Sequence, residues 1–127
     1  NKKLASTAYD AGVRNFGKFQ NSGYRGLYNG ETAANIRARK GLGKKQDILD
    51  YMGSTELAAD YFRITQTEDK LRREQIQGEA QANETHYNVG RKVRQTISEL
   101  GGTMPEELPV PEKSIQQIEA EQTQLTT

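Results

Sequence analysis

Apolar positions recur at helical spacing along most of this chain. From Thr55 to Gln77 no Pro or Gly intervenes, and Leu57, Tyr61, Ile64 and Leu71 follow one another at intervals of four, three and seven. Ala58 and Phe62 widen the same stripe, while Arg63, Glu68, Asp69, Lys70, Arg72, Arg73 and Glu74 fill the remaining surface. Ser54 or Thr55 can cap the helix start, and Glu56 in the first turn suits the helix dipole. A second stripe of His86, Val89, Val93, Ile97 and Leu100 predicts a helix from 84 or 85 to 100, closed by Gly101-Gly102. Neither helix is stable alone, so each needs a partner for its stripe. The small polar stretch 78–83 reads as the break between them, and Gly90 as a point of close approach to the 55–77 helix.

Shorter helices are predicted at 2–11, with Leu4, Ala8 and Ala11 inward; at 31–40, with Ala33, Ala34 and Ile36 inward; and at 44–52, with Ile48, Leu49 and Met52 inward. Residues 12–30 contain five glycines and the turn signals Asn-Ser-Gly and Asn-Gly, which predicts a loop-rich segment. The expected fold is all-α: a small helical domain over 1–104 built on an antiparallel pair of long helices. A Pro-rich acidic linker and tail follows over 105–127, its last part a frayed helix or disordered.

Composition moderates this picture. Ile, Leu, Val and Phe make up 23 of 127 residues, about 18%, which predicts a small core with disordered margins. The absence of Cys excludes disulfides and thiolate metal sites and fits a cytoplasmic location. No apolar run reaches the roughly 18 residues a membrane span needs. The chain starts at Asn1 rather than Met, so it reads as a piece of a longer protein.

Charge is divided unequally. Residues 1–46 carry ten Lys and Arg against Asp10 and Glu31, a net +8, whereas residues 47–127 carry eight against fifteen acidic side chains, a net −7. A basic half suits a polyanion such as DNA, or the two halves attract each other. Within the basic half, Phe16, Phe19, Tyr24 and Tyr28 interleave with Lys18 and Arg25. That composition fits a single-strand stacking platform, or else core anchors for a loop. Arg37, Arg39, Lys40, Lys44 and Lys45 surround Gly41 and Gly43 in the densest basic cluster, a nonspecific phosphate contact or a solvated turn. Lys45 stands where a phosphate loop needs Ser or Thr for magnesium, so a nucleotide site is rejected. Arg91, Lys92 and Arg94 form a second basic face.

Nothing specifies catalysis. His86 is the single His, which excludes His pairs and multi-His metal sites, and it reads as a hydrogen-bonded core residue. Asp47/Asp50 and Glu68/Asp69 do not specify the convergence a metal nuclease needs. No cofactor, metal or catalytic residue is expected.

Long stretches resemble a known family. Phe19-Gln20-Asn21, Gly23-Tyr24, Gly26-Leu27-Tyr28, Arg39-Lys40-Gly41-Leu42 and Ile48-Leu49-Asp50 are similar to the C-terminal region of the bacterial DNA-damage-inducible protein D family. So are Met52 to Ala59, Thr65 to Glu68, Thr85-His86, Val89 to Ile97 and Leu100 to Pro109. The resemblance runs to about Pro111. It implies a part of the SOS response that modulates a recombinase–DNA filament near the nucleoid. With the composition above, the expected module is non-enzymatic and acts on DNA, single-stranded by preference, or on that filament. Members carry an N-terminal domain similar to Bro-type antirepressors, which this chain lacks. The alternatives are an interaction module that forms a homodimer through its long helices, and thirdly a nuclease.

Overall fold

The computed structural model describes residues 1–126, and all regular structure among them is helical. Six α-helices follow in order: α1 Lys2–Asp10, α2 Phe16–Leu27, α3 Ala33–Lys40, α4 Ser54–Arg73, α5 Glu79–Glu99 and α6 Ile115–Thr126. Single 3-10 turns occupy Ile48–Tyr51 and Pro105–Glu107. Local chemistry sets several starts. Asn1 accepts from the backbone N–H groups of Lys3 and Leu4, Asn15 from that of Lys18, and Thr32 with Asn35 forms a reciprocal capping box.

The segment expected to be a loop is helix α2. Three glycines lie inside it, each costing a helix about 1 kcal/mol relative to Ala. Two of them are used for contact. A Cβ on Gly23 would lie 2.2 Å from His86 Nε2, and one on Gly26 would lie 2.2 Å from the Tyr87 carbonyl oxygen. Gly90 answers from the other side, where a Cβ would sit 2.7 Å from the Gly23 carbonyl oxygen. Three missing side chains thus bring two helix backbones together. The Phe19 ring packs at a tilt on His86 early in the contact and the Leu27 carbonyl accepts from Arg94 at its end, so α2 and α5 run in the same direction. The most extensive partner of α5 is α2 rather than α4, and Gly90 serves α2.

Helix α5 begins five residues earlier than its stripe suggests. Glu79 holds the turn before α2 by accepting from the backbone N–H groups of Arg14 and Asn15 at 2.7 and 2.8 Å. Those two bonds keep the Glu79 carboxyl below its usual range.

Helix α4 turns a different face inward from the one its apolar residues define. Ile64 and Leu71 are buried and Leu57 is half-buried, but Tyr61 and Phe62 are 48% and 53% exposed. In their place Glu56, Asp60, Arg63, Thr67 and Glu68 point into the protein. The apolar core forms two clusters. Leu4, Ala8, Val13, Phe19, Ile64, Leu71 and Ala82 make one, and Leu27, Tyr28, Ile36, Ile48, Met52 and Val93 belong to the other.

Residues 44–52 make only one 3-10 turn, which starts where the Asp47 carboxylate accepts from the Leu49 N–H. Beyond α5, Pro105 is buried and Glu106 takes a two-pronged bond from Arg94 at 2.7 and 2.8 Å. A second capping box, between Ser114 and Gln117, opens α6, and the Gln116 N–H reaches Asp50 Oδ1 at 3.1 Å. Residues 115–126 are therefore helical and seated on the turn at Ile48–Tyr51. Among the described residues no helix is long and apolar enough to cross a membrane.

Candidate nucleic-acid interface

The basic and aromatic positions singled out above have different fates. Lys40 does not reach solvent: its ammonium donates to Glu56 at 2.8 Å and to the Tyr51 carbonyl at 3.0 Å, with no side-chain exposure. Tyr24 is 7% exposed, packed edge-on to Tyr28 and covered by the Arg63 guanidinium 4.7 Å from its ring centre. Burial pushes its hydroxyl pKa up to about 12. Neither residue is available to a ligand, so both leave the expected surface. Arg39 is committed to Glu31 by a guanidinium fork at 3.0–3.3 Å, and Arg94 to Glu106. Arg37 is half-buried, with its Nε enclosed and unpartnered.

A polar line through the interior explains these losses. Lys40 pairs with Glu56, Glu56 faces the Tyr28 hydroxyl at 2.5 Å, and that hydroxyl lies 2.6 Å from Asp60. Asp60 pairs with Arg63 at 3.0 Å, Arg63 meets His86 Nε2 at 2.6 Å, and His86 Nδ1 meets the Phe19 carbonyl at 2.8 Å. Because a carbonyl only accepts, Nδ1 carries the imidazole proton, and Nε2 accepts from Arg63. His86 is thus neutral, and burial with the neighbouring Arg63 charge holds its pKa well below 6.5. The line ties α2, α3, α4 and α5 together by side chains that would be costly to bury unpaired. It is structural, and its spacing on α4 (56, 60, 63) is the signal that a purely apolar stripe rule overlooks.

The cations that remain exposed are Lys18 and Arg25 on α2, Lys44 and Lys45 in the 41–47 loop, and Arg91 and Lys92 on α5. They fall into two neighbourhoods. Lys45 lines a groove with the α6 residues Gln116, Gln117 and Ala120. Arg25 and Arg91 instead flank the α2–α5 crossing, since the Arg91 backbone nitrogen lies 3.0 Å from where a Gly26 Cβ would stand. Lys18 occupies the position seven residues before Arg25, on the same side of α2. Among the described residues, no carboxylate lies within ion-pair distance of Arg25, Lys44, Lys45, Arg91 or Lys92.

Helix α4 offers the contrast. Lys70 pairs with Glu74, Arg72 with Glu68 and Asp69, and Arg73 with Asp69 and Glu74, at 2.8–3.5 Å. Such exposed pairs contribute little to stability, but they cancel the local field. Sequence reasoning also missed Tyr87, which is 40% exposed beside Arg91 at the crossing. Among the described residues, no group of three or more His, Cys, Asp or Glu side chains is placed to hold a metal ion.

Comparison with known proteins fits this chain into a family. Residues 1–118 match the model of the DinD C-terminal domain. The chain is 61% identical over 122 residues to DNA damage-inducible protein D of Escherichia coli (strain K12), an alignment that covers 94% of the chain. It spans 44% of that relative's length. No solved structure matches. This chain belongs to the DinD C-terminal domain family.

Proposed function

We propose that this chain is a non-enzymatic DNA-damage response module that contacts DNA, alone or within a recombinase–DNA filament, through the α2–α5 seam. The observation that carries the reading is the pairing contrast. Lys70, Arg72 and Arg73 on α4 are matched to carboxylates, while Arg25 and Arg91 stand exposed and unmatched at one helix crossing. Unmatched cations on a rigid two-helix platform suit phosphates, because each releases condensed counterions when it meets one. The family relationship to a DNA damage-inducible protein supports the setting. Lys44 and Lys45 are also exposed and unmatched, but they lie apart from the seam in the 41–47 loop.

Filter binding to single- and double-stranded DNA, with and without recombinase, tests the reading. Arg25→Ala with Arg91→Ala should weaken binding to every DNA sequence. The salt slope should fall by about 0.7–0.9 for each phosphate that is no longer neutralised. Arg72→Ala with Arg73→Ala is the matched control and should change little. If neither pair alters DNA or filament binding in a folded protein, the seam is not the interface.

One observation favours a second reading, an association module. An apolar groove of about 350 Å³ runs between α4 and α5, lined by Ala58, Ala59, Phe62, Val93, Ile97 and Leu100 among others. Leu100 is 80% exposed at its rim. Light scattering that gives the dimer mass, and reverts to the monomer with Phe62→Ser, would support this reading.

A further inference from the structure

We infer that Tyr87 is a base-stacking residue, and that the α2–α5 seam binds single-stranded DNA with a base on Tyr87 and phosphates on Arg25 and Arg91. This deepens the proposed function and rests on it. The geometry comes from the glycine contact. Gly26 has no side chain, and the Tyr87 carbonyl and Arg91 nitrogen fill the space where one would begin. Tyr87 and Arg91 are four residues apart on α5, hence neighbours on one face. The same flank of α5 meets α2 again where Arg94 donates to the Leu27 carbonyl at 3.1 Å. On α2 the residues next to the Gly26 flank by helical angle are Ser22, Lys18 and Arg25. Exposed Tyr87 and Arg91 therefore lie on the flank of the crossing that Ser22 borders on α2, with Lys18 and Arg25 further round that helix.

Other exposed aromatics lack that setting. Tyr9 already carries the Arg14 guanidinium 4.0 Å above its ring. Tyr61 and Phe62 lie on α4, whose cations are paired with carboxylates. An aromatic ring beside unmatched cations is the combination that holds single strands: each unpaired base offers a face for stacking, and the backbone follows the positive groove. A duplex keeps its base faces stacked on one another, so the ring discriminates in favour of single strands. Phosphate contact alone would not.

The test compares a single-stranded thymidine oligonucleotide with a duplex of the same length. Tyr87→Ala should lose on the order of tenfold to a hundredfold in single-strand affinity, with duplex affinity unchanged within about twofold. The chain has no tryptophan, so Tyr87→Trp introduces a unique fluorophore. Its emission should be quenched on adding the oligonucleotide, with affinity retained. Equal losses for both DNA forms with Tyr87→Ala, or no loss, overturn the stacking role. If that happens while Arg25→Ala with Arg91→Ala still weakens both forms, the stacking inference alone has failed. If the arginine pair is also without effect, the interface itself has failed.

Discussion

The Arg63 guanidinium donates to Nε2 of His86 across 2.6 Å in the protein interior. A cation bound directly to an imidazole fixes that imidazole as neutral, and burial acts in the same direction. The consequence for pH follows from linkage. The folded pKa of His86 lies below the unfolded one, so the unfolded chain takes up the proton first as pH falls. Stability is insensitive to this group above about pH 6.5, then declines by up to about 1.4 kcal/mol per pH unit below it. Denaturant unfolding at several pH values should show that decline, and His86→Gln should flatten it.

The Tyr28 hydroxyl has one hydrogen for two carboxyl contacts, at 2.5 Å to Glu56 and 2.6 Å to Asp60. The second contact is a hydrogen bond only if a carboxyl is protonated, and burial raises the pKa of Asp60. Asp60→Asn can still donate to Tyr28 through its amide, but it leaves the enclosed Arg63 guanidinium without its counter-charge, as Glu56→Gln leaves the Lys40 ammonium. Each should cost about 3–5 kcal/mol. Thermal unfolding of the two variants checks both.

The α2–α5 contact predicts a strong asymmetry among glycines. Gly26→Ala would drive a Cβ against the Tyr87 carbonyl, a backbone atom that cannot rotate away. It should destabilise by several kcal/mol or prevent folding. At Gly17, near the start of the same helix, the nearest atom to a new Cβ is Asn15 Oδ1 at 3.6 Å, an ordinary contact. Gly17→Ala should leave stability unchanged or raise it by up to about 1 kcal/mol. Urea midpoints distinguish the two.

Helix α6 rests on the body through Ser114 and the bond from Gln116 to Asp50, and most of its surface is exposed. Removing residues 112–127 should therefore leave the domain folded. It also removes Glu112, Glu119 and Glu121 against Lys113, and uncovers the groove beside Lys45. DNA affinity at low salt should rise. An unchanged affinity would show that the acidic tail does not compete.

The long helices α4 and α5 are legible in the sequence because their spacing is regular over many turns and α4 has no interrupting Gly. The inward face of α4 is not. Periodicity assigns Tyr61 and Phe62 to the core and Glu56, Asp60 and Arg63 to water. The fold reverses this because those charges compensate one another across three other helices, which no local pattern reveals. Helix α2 is hidden for a related reason. Gly23 and Gly26 look like turn residues until the partner backbone at Gly90 is in place. Of the expected interface, Lys18, Arg25, Lys44, Lys45, Arg91 and Lys92 are on the surface, because lysine and arginine usually are. Lys40 and Tyr24 are not, since each has a buried partner distant in sequence, Glu56 and Arg63 respectively.

Amide shift mapping during titration with a single-stranded oligonucleotide tests the α2–α5 seam as the DNA interface most directly. The largest perturbations should fall on residues 18–26 of α2 and 87–95 of α5, with α4 silent. Perturbations centred on the α4–α5 groove or on α6, with α2 unmoved, would contradict it.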